Sequence, residues 1–256
     1  MNRVAFTIGG WTIYWYGIMV CIGFMVGIWN ASRRALKTDI DPSRVVDLGT
    51  WLLLGAIVGA RLLYVVSYWN EFAGKPLWEI FMIHHGGLVF FGGLLGAIVS
   101  TVFYCKIKKI NVWNMADVLA PSIPLGHFFG RIGCFLNGCC FGKQTTLPWA
   151  VHFPEDHPTC GVGVHPTQLY EAGFNLLIFF GLQLLFKNRR FKGQIFSVYL
   201  ILYGIGRSLI ECFRGDYEKL YFGGLITPGQ LASLVALVSG IIIYNSLKLG
   251  IKPNSQ

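Results

Sequence analysis

Residues 127–142 place imidazole, guanidinium and thiol side chains at the end of a long apolar run. The stretch contains His127, Arg131, three cysteines and four glycines. An arginine at membrane depth costs roughly 2.5–3.5 kcal/mol on insertion scales, so it tends to face a cavity and to mark a functional site. Glycine lets a backbone or a ligand come close. The stretch therefore indicates a site for a phosphate-bearing lipid headgroup, walled in by the other apolar segments.

Two further arginines lie inside apolar runs. Arg207 and Glu211 are four residues apart and share one helix face with Arg214, so they can form a structural ion pair. A guanidinium with donors to spare can instead bind a phosphate in bidentate fashion, and both interpretations stay open. For Arg61, a structural hydrogen bond to a neighbouring helix is expected.

His127 and Arg131 also share a helix face, because they are four residues apart. The charge of Arg131 favours the neutral imidazole, which is a competent base, whereas the alternative is a histidine that only packs. Asn137 and Gly138 follow where the helix gives way to a polar segment. Asn137 is either a turn residue or a hydrogen-bond donor to the headgroup.

Residues 165–171 open another apolar run. Thr167 can cap the new helix and Pro166 suits its start. Gln168 and Glu171 are three residues apart and enter the membrane, which favours a polar cavity over lipid. The glycines between positions 86 and 96 predict close helix packing, with a path for the lipid headgroup as the second interpretation.

Composition indicates the class of protein. Of the 256 residues, 54% are apolar and only 13% are charged, which is typical of a polytopic membrane protein. Pro121 and Pro124 should kink the fourth apolar run. A run of about 20 residues can span a bilayer, and it must be helical there. The sequence therefore predicts an all-α integral membrane protein with about seven transmembrane helices, at about 11–32, 48–69, 86–105, 114–136, 167–186, 194–213 and 228–249.

The basic residues predict the orientation. Most of them follow the first, third, fifth and seventh runs, which places the N-terminus outside and the C-terminus in the cytoplasm. This topology explains most of the net charge of +9, so a nucleic-acid partner is not expected. The segment at about 70–84 then forms a small arm on the outward side, and the segment at about 138–166 forms a small head on the same side. With no repeats or linkers, residues 1–256 are expected to form a single domain.

The seven cysteines support a competing interpretation. Cys134, Cys139, Cys140 and Cys160 fall on the outward side, where disulfides persist. They are compatible with a structural disulfide to Cys160, with contacts to lipid, or with a membrane thiol oxidoreductase. Because no CxxC or paired zinc-type spacing is present, no metal site and no cofactor are expected. The adjacent His84 and His85 would not face one ion from a helix.

With these motifs the chain resembles the prolipoprotein diacylglyceryl transferases, inner-membrane enzymes of bacterial lipoprotein maturation. The resemblance covers nearly the whole chain, and the order and spacing of its motifs are specific. The matching segments are residues 15–17, 86–88, 92–94, 130–133, 137–138, Gly142, 165–171, 203–204, Arg207, Glu211 and Arg214.

The resemblance implies a reaction, a location and a set of partners. Members of the family transfer the diacylglyceryl group of phosphatidylglycerol to the lipobox cysteine of a preprolipoprotein. The resemblance implies a multi-pass protein of the bacterial inner membrane, and we expect a monomer. By position, Arg131 matches the lipid-binding arginine. The residues expected to carry catalysis are Arg131, Arg207, Glu211 and His127. Those expected to contact the substrates are Arg131, Tyr16, Asn137, Gly138, Gln168, Glu171, Tyr203 and Arg214.

The chain departs from the family pattern at three positions. Phe91 stands where well-known members have a histidine, Cys134 where they have an asparagine, and Cys139 where they have a glutamate. Phenylalanine cannot accept a proton, so His127 is expected to act as the base. The alternatives are a reaction in which nearby arginines lower the thiol pKa without an enzymic base, and a divergent transferase with another acceptor.

Overall fold

A computed structural model describes residues 3–82, 86–215 and 227–250, and these are mostly helical. Within these described residues, five helices are long and apolar enough to cross a membrane, which confirms a helical membrane protein. The count of seven spans and their orientation stay predictions, and His84 and His85 lie outside the described residues. The helices are α1 (Trp15–Ala35), α2 (Pro42–Ser67), α3 (Phe90–Ile107), α4 (Val112–Leu119), α5 (Ser122–Asn137), α6 (Thr167–Lys187), α7 (Gln194–Glu211) and α8 (Pro228–Leu249). The five candidate spans are α1, α2, α3, α6 and α8.

The chain groups into two compact units. One unit is Ser32–Met115, called here the 32–115 unit, and the other combines Met1–Ala31 with Ala116–Gln256 and is called the larger unit. The single domain over residues 1–256 stays a prediction.

Glycines hold α2 and α3 together in the 32–115 unit. A methyl group added at Gly59 would overlap the carbonyl oxygen of Gly92, and one added at Gly96 would overlap that of Gly55. The two backbones therefore approach as closely as only glycine permits. This contact confirms the close helix packing predicted for the glycines of the third run.

Arg61 holds the segment between α2 and α3. Its buried guanidinium donates to the carbonyl oxygens of Glu79 and Ile80 at 2.8 Å each and of Gly86 at 2.7 Å, with Gly87 at 3.2 Å. The structural role predicted for this arginine is confirmed. Its partners, however, belong to the connecting segment, which includes the short 3-10 helices Trp69–Glu71 and Leu77–Phe81, rather than to a neighbouring helix.

In the larger unit, the chain begins with a hairpin instead of a helix. Strands β1 (Val4–Ile8) and β2 (Trp11–Tyr14) pair in antiparallel fashion around Gly9 and Gly10, which both have positive φ. Two such residues are what a tight hairpin turn requires. The predicted start of the first span at residue 11 is therefore wrong, because α1 begins at Trp15. A second short pair, β3 (Val151–His152) and β4 (Gly163–Val164), lies in the segment predicted as the head.

The predicted kink in the fourth run is a complete break. Helix α4 ends at Leu119 and α5 begins at Ser122, with Pro121 at the N-cap. Proline lacks the backbone N–H that would continue the helix. Within the larger unit, the buried carboxylate of Asp117 accepts hydrogen bonds of 2.8 Å from the N–H groups of Gly193 and Ile195 and so caps α7.

Candidate active site

Four charged side chains from three helices form one continuous chain, called here the ion-pair chain. Nη2 of Arg131 on α5 lies 2.9 Å from Oε1 of Glu171 on α6. The other oxygen of Glu171 accepts from Nη1 of Arg207 on α7, and Nη2 of Arg207 lies 2.8 Å from Oε2 of Glu211. Two positive and two negative charges sum to zero, as burial requires. The structure thus brings together four residues that the sequence predicted for the site.

The spacing of α6 and α7 depends on Gly206. A methyl group added there would overlap the aromatic ring of Phe174, which lies on α6 one turn below Glu171. Because position 206 has no side chain, the two helices approach closely, and the neighbouring Arg207 reaches Glu171. Gly206 is a residue that the sequence analysis did not single out.

The far end of the ion-pair chain is closed by α8. Thr227 donates a hydrogen bond of 2.8 Å to Oε1 of Glu211, and it also forms a capping box with Gln230. A methyl group added at Gly229 would overlap the Glu211 carboxylate, which therefore sits against the first turn of α8. The positive end of the helix dipole stabilises a negative charge at this position. Glu211 is thus held by Arg207, by Thr227 and by the helix terminus.

The opposite end of the chain is more open. The side chain of Arg131 is 19% exposed, against 8% for Arg207. Its Nη1 lies 3.9 Å from the sulfur of Cys134. Glu171 therefore fixes one edge of the Arg131 guanidinium, and the planar fork remains suited to bidentate binding of a phosphate.

His127 lies one helical turn from Arg131, as predicted. Its ring packs against Tyr203 with centroids 5.6 Å apart, and Asn175 lies beside it. Tyr203 in turn packs against Tyr199, with centroids 5.8 Å apart. His127 lies close enough to Glu171, Arg131 and Arg207 for their charges to act on its ring.

The loop after α5 is held by hydrogen bonds to three consecutive carbonyl groups. Nε2 of His157 lies 2.6 Å from the Gly138 oxygen, Gln168 donates to the Cys139 oxygen at 2.7 Å, and Thr167 donates to the Cys140 oxygen at 2.7 Å. The Nδ1 atom of His157 accepts from the Thr159 backbone N–H, which agrees with a proton on Nε2. This arrangement is called here the carbonyl clamp.

The carbonyl clamp changes the interpretation of residues 165–171. Thr167 does not cap α6, as the sequence suggested, because Pro166 is the N-cap and no side-chain cap is present. Its hydroxyl holds the Cys140 carbonyl instead. Gln168 is fully buried and holds the Cys139 carbonyl, so its contact with substrate stays a prediction. His157 was missed because no local pattern links it to Gly138, which lies nineteen residues away.

The carbonyl clamp carries a cluster of thiols. The sulfur atoms of Cys134, Cys139 and Cys140 all lie within 4.8 Å of one another. Hydrogen bonds from the Cys134 and Cys139 thiols, together with the charges of Arg214 and Arg131, hold the pKa of Cys140 below its usual value, against a burial that raises it. All seven cysteines are free thiols, so the disulfide to Cys160 that the sequence allowed is not formed.

The remaining predicted residues surround this cluster. Tyr16 packs against Gly133, where an added methyl group would lie 3.3 Å from the Tyr16 backbone, and it lies near the three thiols. Asn137 ends α5, and its side chain interacts with Cys139. Gly138 follows in the left-handed conformation with φ of 76°. The backbone of Arg214 bridges to that of Gly142.

The fold and the site together define a helical membrane protein with a buried arginine–carboxylate chain. The family model for prolipoprotein diacylglyceryl transferase matches residues 3–245. A phosphatidylglycerol–prolipoprotein diacylglyceryl transferase of Finegoldia magna is 41% identical over 249 residues, which cover 97% of this chain and 96% of the relative. A transferase of the same name from Clostridium tetani is 33% identical, over 96% of this chain and 97% of the relative. One from Synechococcus elongatus is 38% identical, over 92% of this chain and 83% of the relative.

The chain therefore belongs to the prolipoprotein diacylglyceryl transferase family, and it is a transferase. This finding favours the transferase interpretation over a thiol oxidoreductase. Phe91, at the position where the resemblance implies a histidine in other members, lies in the 32–115 unit and is half exposed.

Proposed function

We propose that this protein transfers the diacylglyceryl group of phosphatidylglycerol to the lipobox cysteine thiol of a preprolipoprotein. The observation that carries the proposal is the geometry of Arg131. Its guanidinium is held by Glu171 at 2.9 Å, and its side chain is more exposed to solvent than that of Arg207, the other arginine of the ion-pair chain. Family membership supports the same substrates, because the relatives are named for phosphatidylglycerol and prolipoprotein.

In the proposed reaction, the substrate supplies the nucleophile. The lipobox sulfur attacks the glycerol carbon that carries the phosphodiester oxygen. A thioether C–S bond forms, the C–O bond to phosphate breaks, and the electron pair leaves with glycerol phosphate. The thiol proton must pass to a base. The protein's tasks are then to orient the lipid phosphate, to neutralise its growing charge and to accept one proton.

The residues divide these tasks. Arg131 binds the phosphate and neutralises the leaving group, while Glu171 orients it. Arg207, itself paired with Glu211, holds Glu171 in place from the other side. His127, one turn from Arg131, accepts the thiol proton. Substrate contacts are proposed for Tyr16, Asn137, Gly138, Gln168, Tyr203 and Arg214, which surround the thiol cluster and the ion-pair chain.

The proposed topology follows the sequence. Seven spans would place the N-terminus outside and the C-terminus in the cytoplasm of a multi-pass inner-membrane protein. The arm at about 70–84 and the head at about 138–166 would then face outward, and the protein would act as a single-domain monomer. The basic residues after α1, α3, α6 and α8 support this orientation.

Product chemistry tests the proposal directly. The purified protein would be incubated with phosphatidylglycerol vesicles and a lipobox peptide, and the mass of the peptide would then be measured by mass spectrometry. We expect the added mass of one diacylglyceryl group on the cysteine, and none on a peptide with serine in its place. A peptide that is only oxidised, with no lipid added, would overturn the proposal in favour of the redox class.

The role of His127 is tested separately. His127→Gln should lower the transfer rate about 10²–10⁴-fold, the usual contribution of a general base. The matched control is His152→Gln, because His152 lies in β3 and contacts the carbonyl oxygen of Gly161. Full activity of His127→Gln would remove this residue from the mechanism without affecting the assignment of the reaction.

A further inference from the structure

The three thiols of residues 134–140 have the spacing of a metal-binding site. A thiolate sulfur binds Zn²⁺ at about 2.3 Å, so three sulfurs around one ion in a plane are about 4.0 Å apart. The sulfurs of Cys134, Cys139 and Cys140 already lie within 4.8 Å of one another. Closing them around an ion therefore requires movements of less than about 1 Å, within the reach of side-chain rotation.

The backbone that carries these thiols is fixed in advance. Gly138 ends α5 in the left-handed conformation, and the N–H of Cys139 returns to the carbonyl of Cys134 at 3.1 Å. The carbonyl clamp then holds residues 138–140 from outside. Cys140 itself has a positive φ of 63°, which is strained for a residue with a side chain and is typical of functional positions. Such preorganisation is what a specific ligand set requires.

The charges beside the cluster suit a bound cation. Three thiolates and a divalent cation such as Zn²⁺ leave one net negative charge, and Arg214 is a positively charged neighbour of Cys140. Arg131 already belongs to the neutral ion-pair chain and is not counted here. Soft thiolate ligands select thiophilic ions such as Cu⁺ and Zn²⁺ over Mg²⁺ or Ca²⁺.

We propose that Cys134, Cys139 and Cys140 bind one thiophilic metal ion through three thiolate ligands. Each thiol that is still protonated releases its proton to solvent as the metal–sulfur bond forms, and no electron is transferred. Sequence spacing did not predict the site, because the sulfurs converge only after the left-handed turn at Gly138. The site is independent of the transferase proposal, since binding needs neither lipid nor peptide.

Cadmium binding to the purified full-length protein tests the site. Cd²⁺ is a thiophilic probe whose thiolate complexes absorb in the ultraviolet. We expect a stoichiometry of one Cd²⁺ per chain and a sulfur shell in X-ray absorption spectra. Substituting Cys134, Cys139 or Cys140 with serine should weaken binding at least about tenfold, on the scale of lost metal-site interactions.

Two cysteines outside the cluster provide matched controls. Cys160 and Cys212 are exposed free thiols, and Cys160→Ser and Cys212→Ser should bind Cd²⁺ as the unaltered protein does. Absence of the thiolate band, or equal losses in the control variants, would overturn the proposal.

A second measurement uses the unaltered protein and so does not depend on a variant that folds. Bound Cd²⁺ should protect Cys139 and Cys140 from alkylation by iodoacetamide while Cys160 and Cys212 are still modified, as read from peptide masses. Equal alkylation of all four thiols with and without Cd²⁺ would contradict the site. The transfer assay is not used in either measurement, so a failed metal site and a failed transferase assignment are distinguishable.

Discussion

Arg61 and Arg131 are both arginines in apolar helices, but their partners differ. Arg61 donates to four backbone carbonyl groups and is buried. Arg131 meets one carboxylate and one thiol, and its side chain is 19% exposed. When backbone carbonyl groups accept the hydrogen bonds of a guanidinium, its donors are occupied and the backbone segment that carries those carbonyls is held in place. A carboxylate on one edge orients the guanidinium and leaves its other donors for a ligand.

The comparison gives a rule for arginines in apolar helices. Both charges lie in such helices, so this location alone does not separate a structural arginine from one that binds a ligand. What separates them is the groups that receive their hydrogen bonds. Substitutions in the two regions should accordingly change different measured quantities.

The largest effect is expected at Glu171, because it touches both arginines of the ion-pair chain. Glu171→Gln leaves two guanidinium groups without their shared countercharge, and removing one partner of a buried pair costs about 3–5 kcal/mol. Both the thermal midpoint in detergent and the transfer rate should fall. Glu211→Gln is the matched variant and should cost less, because Glu211 pairs with one arginine, Arg207, where Glu171 pairs with two. A larger fall in thermal midpoint and transfer rate for Glu211→Gln would contradict the role of Glu171 as the shared countercharge of the two arginines.

The second effect is at Arg131 and is mainly on the transfer rate. Arg131→Gln should reduce the transfer rate about 10²–10³-fold, as expected when one preorganised donor to a developing negative charge is removed. The thermal midpoint should fall less than for Glu171→Gln, since Glu171 keeps Arg207 as a partner and the Arg131 side chain is partly exposed. The measurement is the rate of diacylglyceryl addition to a lipobox peptide. A variant that is less stable but transfers at the full rate when folded would show that Arg131, like Arg61, has a structural role.

The third effect is at Arg61 and should be the converse. Arg61→Gln leaves the part-buried carbonyl groups that it contacts without their charged donor, and the loss is about 1.5–3 kcal/mol for hydrogen bonds to a charged group. The thermal midpoint should fall while the rate per folded molecule stays within a few-fold. Arg44→Gln serves as the control, because Arg44 is exposed and donates to the carbonyl of Lys108.

The smallest effect is at the helix contact that supports Arg61. Gly96→Ala would force a methyl group against the Gly55 carbonyl, and such overpacking should cost about 1–2 kcal/mol after the gain in helix propensity is counted. Gly181→Ala in α6 is the control, because nothing lies within 4 Å of the added methyl group. Equal thermal midpoints for the two variants would be evidence against tight α2–α3 packing.

Much of the fold could be predicted from hydropathy and from proline. The long apolar runs coincide with helices because lipid enforces backbone hydrogen bonding within each segment. Pro121 marked the break between α4 and α5. The hairpin was missed although Gly9-Gly10 between alternating residues is a turn signal, because Trp11 also suits a membrane interface.

The site was only partly predictable, because periodicity reports one helix at a time. Arg207 and Glu211 could be paired from their spacing on one face. The link from Arg207 to Glu171 joins residues 36 apart on different helices, so no spacing rule reaches it. The carbonyl clamp and the thiol cluster likewise depend on how the chain returns after Gly138.

The bare α-carbon of Gly206 has a consequence for any attempt to redesign this protein. Its missing methyl group sets the gap between two helices, and that gap sets the distance between opposite charges on the neighbouring turns. A residue that contributes no functional group thus acts as a spacer for electrostatics. Enlarging it would alter the chemistry by a mechanical route, with every charged side chain still in the sequence.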